Sequence, residues 1–227
     1  MDINKEIIGK IVSAEWEMFS AVNEGEARAS CQEDRTTFEG MRRAQFMEWS
    51  PAVVGSYLDD LDAAARKGRN LIEEKYIHMM KTTEPSHYEA LLERVEKPSV
   101  AVLDLAGEVS GMLLEQTRVL FEDYPYVSGQ GRPLYSAFDY GGTSVETYQY
   151  GELLTYSEKT LAALKEHIAA LKADGVSLAR KILESTVRFY GYDSLDTAEA
   201  AMKERADKTG IQITFGCCAG GDCDCDD

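Results

Sequence analysis

The sequence predicts an all-α fold, a single-domain multi-helix bundle with a buried central helix and a long tyrosine-rich loop. Apolar residues recur at intervals of three and four along most of the 227 residues, which is the period of one helix face. Strand signal is confined to 211–215, and no internal repeat occurs at a period of about 20 to 50 residues. Since one domain commonly holds about 100–200 residues, we expect a single domain over 1–215 and a flexible cysteine-rich tail over 216–227.

Capping residues and apolar faces mark the helices of the N-terminal half. Ser30 and Glu33 form a capping box, and Ser50 followed by Pro51 is typical of a helix start. Gly68 is expected to break the helix that begins there. Helices are therefore predicted over 5–22, 31–48, 51–67, 71–84 and 86–96.

The C-terminal half contains the segment that predicts the centre of the bundle. Residues 98–123 are apolar almost all round, which is typical of a helix buried on every side. Thr143 and Glu146 indicate another helix start, and a stripe of apolar residues ends at Gly175. Two more helices are predicted over 176–190 and 196–208.

A tyrosine-rich loop interrupts the helices between 124 and 142. Seven of the twelve tyrosines fall between 124 and 156, among glycines and prolines that favour turns. Long loops in compact domains are often functional, and tyrosines suit the lining of a pocket. One interpretation is a loop packed on the bundle by its own aromatic rings. The other is a ligand pocket whose candidate residues are Arg132, Tyr135, Tyr140 and Tyr148.

Polar residues share an aromatic face on the helix predicted over 31–48. Arg42 and Gln45 lie on the same face as Phe38 and Phe46, so their burial requires polar partners. Glu15, on the apolar face of the first helix, is the natural partner. The pattern predicts either a buried Glu15–Arg42 ion pair or an Arg42 that binds a carboxylate or phosphate.

Cys31 is predicted at the first position of the same helix, where the helix dipole favours a thiolate. It is therefore a candidate nucleophile, with Asp34 and Arg42 as candidate catalytic neighbours. No histidine lies nearby in sequence to act as its base. The alternative is a small apolar cysteine of the core.

The last residues carry the most specific chemistry. Four of the five cysteines, Cys217, Cys218, Cys223 and Cys225, lie within nine residues. Thiolates bind soft or borderline ions such as Zn(II), Cu(I) or Hg(II), and the intervening glycines allow the backbone to wrap around one. Two alternatives remain open: a redox-active pair of thiols, or a segment with no role.

The net negative charge of the chain argues against two classes of partner. A formal charge of −16 repels phosphate backbones and anionic lipids, so nucleic acid and membrane surfaces are not expected partners. Neither a signal peptide nor a span of about 20 apolar residues is evident, so we expect a cytoplasmic protein. Clustered cysteines in a reducing compartment favour metal ligands or redox groups over structural disulfides.

Two long segments, WEMFSAVNEGEARASCQEDRTTFEGMRRAQF and RPLYSAFDYGGTSVETYQYGELLTYS, resemble a bacterial family catalogued only as a domain of unknown function. The resemblance covers most of residues 1–200 and implies a stand-alone cytoplasmic protein without catalytic assignments. The run Cys-Cys-Ala-Gly at 217–220 also looks like the metal-relay end of mercuric reductase, over four residues only.

Two functions remain open from the sequence. The first is binding or relay of a soft metal ion, Zn or Cu, by the C-terminal thiols. The second is an enzyme that acts on a small anionic molecule between the 31–45 helix and the tyrosine-rich loop. The sequence does not indicate an oligomeric state.

Overall fold

The computed structural model describes residues 3–22, 32–129 and 131–209. This part of the chain forms eleven α-helices and no strand, which confirms the all-α multi-helix prediction; the candidate strand 211–215 lies outside it. The helices are α1 (Ile3–Ala21), α2 (Arg35–Phe46), α3 (Pro51–Arg66), α4 (Leu71–Thr83), α5 (Pro85–Leu91), α6 (Val100–Asp123), α7 (Pro125–Ser128), α8 (Val145–Leu153), α9 (Glu158–Ala173), α10 (Leu178–Phe189) and α11 (Leu195–Thr209). No helix among them is long and apolar enough to cross a membrane.

The core forms where α3 packs between α1 and α9. Tyr57 and Leu61 of α3, with Leu161, Leu164 and Ile168 of α9, are almost fully buried there. The 3–4 spacing of these residues explains why each helix presents one apolar face to its neighbours. On the outside of this core, α4 packs against α8, and α2 packs against α10.

Helix α2 begins later than the sequence predicted. Its N-cap is Asp34, whose carboxylate accepts a hydrogen bond from the Thr37 backbone N–H at 3.0 Å. Glu33 therefore precedes the helix, and the predicted start at 31 is wrong, because Asp34 supplies the acceptor that the first turn requires. Ser30 lies outside the described residues. The prediction at Ser50 is confirmed: its side chain caps α3, with Pro51 in the first turn.

Helix α6 is not buried on every side, so this part of the prediction is wrong. Its buried residues lie on one face, against α8, α9 and α10, and include Val102, Ala106 and Val109. On the other side Val100 and Leu103 are 74% and 42% exposed. An apolar surface is buried only where another element covers it, and no described segment covers this side of α6.

The tyrosine-rich stretch between α6 and α8 includes α7 and a 3-10 helix at Ser136–Gly141. Carboxylates fix both segments. Glu199 of α11 accepts the backbone N–H groups of Tyr126 and Val127 at 2.9 and 2.8 Å. Asp139 accepts hydrogen bonds from the Ser144 N–H and the Thr147 hydroxyl at 2.7 and 2.6 Å. The stretch is therefore held against the bundle by specific hydrogen bonds.

The contact between α4 and α8 is unusually close at Gly151. A Cβ atom at this position would lie 2.9 Å from Met79 Cγ and 3.1 Å from the Lys75 carbonyl oxygen. Only glycine allows the two backbones to approach this far. The close approach brings Lys75 of α4 beside Glu152, the residue that follows Gly151.

Candidate functional site

Glu15 and Arg42 are brought together by an aromatic contact between α1 and α2. The Phe38 ring stacks on Phe19 at 5.0 Å and meets the edge of Trp16 at 5.3 Å. These rings hold the two helices side by side, with Glu15 fully buried and Arg42 8% exposed. The Glu15–Arg42 ion pair favoured by the sequence pattern is present, with Arg42 donating to Glu15 at 2.7 and 2.5 Å.

Arg42 uses all five of its N–H groups inside the protein. Two of them donate to Glu15. A third donates to Gln45 Oε1 at 2.9 Å, and the remaining two reach the Glu152 carboxylate at 2.9 and 3.4 Å. A guanidinium has five donors, so none of them remains without an acceptor. Burial alone would lower the pKa of Arg42, but Glu15 and Glu152 outweigh it and raise that pKa well above its ordinary value.

Glu152 is the second carboxylate of the cluster. It accepts hydrogen bonds from Lys75 Nζ and the Tyr156 hydroxyl, both at 2.6 Å, in addition to those from Arg42. Burial by itself would raise the pKa of Glu152. The nearby Arg42 and Lys75 charges, with the hydrogen bonds, overcome this effect and hold the pKa of Glu152 well below its usual range. Glu152 is therefore a carboxylate at neutral pH.

Two buried tyrosines complete the cluster, one on each carboxylate. Tyr57 of α3 donates to Glu15 at 2.7 Å, as Tyr156 does to Glu152, and the two rings lie 4.7 Å apart. Burial and the adjacent carboxylates raise the pKa of both hydroxyls well above the ordinary value. Both tyrosines therefore remain protonated donors at neutral pH.

We define these six residues as the charge cluster: Glu15, Arg42, Tyr57, Lys75, Glu152 and Tyr156. Its two cations and two carboxylates balance, so the cluster is neutral overall. A buried charge is tolerated only when it is paired and hydrogen-bonded, and each charge here has at least one partner of opposite sign. The cluster ties α1, α2, α3, α4 and α8 to one another.

A cation–π stack leads from the charge cluster to the surface. The Lys75 ammonium lies 3.5 Å from the ring centroid of Tyr148, and the Arg132 guanidinium lies 4.6 Å from the same centroid. Arg132 is exposed, Tyr148 is half-buried and Lys75 is buried. Of the predicted ligand residues, Glu15, Arg42 and Gln45 lie in or beside the cluster, and Tyr148 and Arg132 extend from it.

Other predicted site residues lie elsewhere or outside the described residues. Tyr140 is 87% exposed, and Tyr135 is half-buried. Asp34 caps α2 and lies eight residues, or about 12 Å along the helix, from Arg42. Its hydrogen bonds with Thr37 lower the pKa of Asp34. The candidate nucleophile Cys31 is outside the described residues, as are the four cysteines near the C-terminal end, Cys217, Cys218, Cys223 and Cys225.

Sequence reasoning missed Lys75, Glu152, Tyr57 and Tyr156 as members of the cluster. The signal that identified Glu15 also applies to Lys75. Lys75 lies four residues after Leu71, so it is a charged residue on an apolar helix face. Glu152 lies four residues from a tyrosine on either side, within the tyrosine-rich region. A polar residue on an apolar helix face therefore indicates membership of the cluster, but not its partner.

Metal ligands do not gather in the described part of the chain. Within 3–22, 32–129 and 131–209, no group of three or more His, Cys, Asp or Glu side chains is arranged to hold a metal ion. In the charge cluster, Lys75 and Arg42 occupy the space beside the carboxylates that a cation would take.

Comparison with known proteins gives one match. Residues 5–200 match the family described as "Protein of unknown function (DUF4125)". No curated protein and no solved structure matches the sequence significantly. The match spans the charge cluster, the cation–π stack and most of the helical bundle. The chain therefore belongs to the DUF4125 family of proteins of unknown function.

Proposed function

We propose that the protein captures or relays a soft metal ion through Cys217, Cys218, Cys223 and Cys225, with the helical domain as carrier. The observation that carries the proposal is the density of thiols, four within nine residues. Thiolates favour Zn(II), Cu(I) and Hg(II) over hard cations. Gly220 and Gly221 between the two cysteine pairs favour a tight bend of the backbone.

The nearby aspartates influence this chemistry in two opposite ways. Asp222, Asp224, Asp226 and Asp227 attract cations, but their negative charge also raises thiol pKa values. A bound metal ion overcomes the second effect, because coordination deprotonates the thiol. This combination favours cation capture over redox catalysis by a reactive thiolate.

A competition titration tests the proposal. Zn(II) and Cu(I) are titrated anaerobically into the full chain against a chromogenic chelator, and compared with the pairs Cys217→Ser/Cys218→Ser and Cys223→Ser/Cys225→Ser. We expect each pair to weaken binding by about 100-fold or more and all four substitutions together to abolish it. Cys31→Ser is the matched control and should bind as the unaltered protein does. Unchanged affinity after loss of all four thiols would contradict the proposal.

A second candidate function is binding or turnover of a small anionic molecule beside the tyrosine-rich segment. The observation that favours it is Arg132, which is exposed at the end of the cation–π stack. Its Nη1 donates to the Thr143 carbonyl oxygen at 2.9 Å, and the described residues provide no ion-pair partner for its charge. Because every N–H donor of Arg42 already has an acceptor inside the protein, we expect an anion to bind Arg132 instead.

Ligand-dependent thermal stabilisation tests this second candidate. Inorganic phosphate and citrate serve as probes, and Arg132→Ala is compared with Arg66→Ala, which removes an exposed arginine of α3. We expect a rise in Tm with at least one probe that is lost in Arg132→Ala and kept in Arg66→Ala. Equal shifts in both variants would indicate nonspecific salt effects and would contradict this function.

A further inference from the structure

An open groove of about 770 Å³ lies between α2 and α10, away from the charge cluster. The two helices run past each other so that Gly40 of α2 meets Phe189 of α10. A Cβ atom at Gly40 would lie 2.1 Å from the Phe189 ring, so glycine is what allows the ring to lie there. With Ala44 and Met47, these residues give the groove an apolar floor.

Arginines line the rim of this groove on both sides. Arg35 and Arg43 project from α2, and Arg188 projects from α10. Arg35 is paired with Glu39 at 2.7 Å. Arg43 has no ion-pair partner among the described residues, and Arg188 has only Glu184, at 4.0 Å.

This rim contrasts with the charge of the whole chain. Glu39 and Glu48 also line the groove, but they are paired with Arg35 and Lys181. Arg43 and Arg188 are therefore the rim charges that lack a close carboxylate among the described residues, in a protein of net charge −16. Glu184, the weak partner of Arg188, is itself hydrogen-bonded to Arg180 at 3.1 Å. With three arginines and two glutamates among its lining residues, the groove carries a small local excess of positive charge, which attracts an acidic segment.

We propose that the acidic end of this same chain, residues 222–227, docks in the α2/α10 groove. The segment carries Asp222, Asp224, Asp226 and Asp227, so its charge complements that of the rim. The apolar floor contacts the backbone of the segment. The aspartates pair with Arg43 and Arg188.

The length of the chain permits this docking. Helix α11 begins beside α10, because Leu195 and Val187 share one apolar cluster. Its 15 residues carry Thr209 about 22 Å from that point. Asp222 is 13 residues beyond Thr209, and an extended chain of that length spans about 45 Å. The acidic segment therefore reaches back past Leu195 to the groove.

Aspartates and cysteines alternate along residues 222–226, and this alternation can place the two residue types on opposite sides of the segment. Successive side chains of an extended backbone point to opposite sides, so docking through Asp222, Asp224 and Asp226 in that conformation would leave Cys223 and Cys225 on the side away from the rim. Docking also neutralises aspartate charge that would raise the thiol pKa. Docking of the segment does not require the thiols to bind a metal ion.

Zero-length cross-linking of the full chain tests the docking. Arg43→Lys keeps the positive charge and supplies an amine, which a carbodiimide joins to an adjacent carboxylate. The reaction is run on dilute protein in EDTA, so that metal binding has no influence on the result. Peptide mapping should join position 43 to residues 222–227. The matched control is Arg66→Lys, an exposed position on α3, which should give at least ten-fold less of such a product.

Three further results decide the proposal. Adding Arg188→Glu to Arg43→Lys should reduce the cross-link at least several-fold, while circular dichroism confirms an intact fold. Equal yields at positions 43 and 66 would overturn the proposal. A mixture of ¹⁴N- and ¹⁵N-labelled protein identifies the source of the segment. Cross-links that join labelled to unlabelled chains would overturn docking within one chain and assign the groove to a second copy.

Discussion

The Arg42 guanidinium and the Glu15 carboxylate form a two-point ion pair in the core, with N···O distances of 2.7 and 2.5 Å. This pair orients the remaining donors of Arg42 towards Gln45 and Glu152. The Tyr57 hydroxyl donates to Glu15 Oε1, the same oxygen that accepts from Arg42 Nη2. The pair therefore fixes how α1, α2 and α8 pack, because every N–H group of Arg42 has one acceptor on these helices.

Arg42→Ala should strongly destabilise the fold. It leaves Glu15 buried with only a tyrosine donor, and loss of one partner from a buried pair costs about 3–5 kcal/mol. Urea denaturation measures the change in the free energy of unfolding. Arg35→Ala is the control, because it removes an exposed ion pair whose loss costs less than about 1 kcal/mol. Similar small losses in both variants would contradict a structural role for the pair.

Glu152 should make the fold sensitive to acid below about pH 4.5. Its pKa is lower in the folded protein than the ordinary 4.5, so the unfolded chain takes up a proton first as the pH falls. The stability from this carboxylate is present above pH 4.5 and is lost progressively below it. The difference in unfolding free energy between the wild type and Glu152→Gln should therefore shrink between pH 5 and pH 3. A constant difference across that range would exclude the effect.

His78 should contribute a separate loss of stability on acidification, which begins at a higher pH than the loss due to Glu152. It is 8% exposed, and its Nε2 has no hydrogen-bond partner within the described structure. Burial, with the nearby charges of Arg69 and Lys81, lowers the pKa of His78 to about 4.

The unfolded histidine binds a proton near pH 6.5, so stability should fall between pH 6.5 and 4, by about 3 kcal/mol in total. NMR titration should show the His78 ring neutral at pH 6. His78→Phe should remove this part of the pH dependence, while His87→Phe, an exposed histidine, should leave it unchanged. A His78 ring that titrates near pH 6.5 would contradict the prediction.

Gly151→Ala should be destabilising by about 1–3 kcal/mol, because its Cβ would press on the Lys75 carbonyl oxygen of α4. Gly107→Ala on the exposed side of α6 is the matched control. No atom lies within 4 Å of a Cβ there, so alanine should stabilise the helix by about 0.5–1 kcal/mol. Thermal denaturation of both variants gives the comparison. The same sign of change at both positions would contradict the close α4–α8 contact.

Much of the fold was predictable, because the helix signals are local. Ser50 and Pro51 are adjacent in the sequence and together predict the start of α3, and the observed N-cap confirms this prediction. The burial of α6 was not predictable in the same way. Its apolar composition is a property of the segment, whereas burial of Leu103 depends on whether a distant element covers it.

Part of the charge cluster was also predictable, because the signal at Arg42 and Glu15 is local to each helix. A charged residue on an aromatic helix face requires a partner, and Glu15 was the nearest one available to Arg42. Glu152 is 110 residues from Arg42 and 77 from Lys75, so their pairing depends on how α2, α4 and α8 pack. Periodicity within one helix has no information about that packing.

The metal content of anaerobically purified protein tests the central functional proposal most directly. Full-length protein and the variant with all four C-terminal cysteines changed to serine are expressed with added zinc or copper, desalted and analysed by mass spectrometry. We expect about one thiolate-bound ion per chain in the full-length protein and none in the variant. Equal metal content in the two proteins would contradict it.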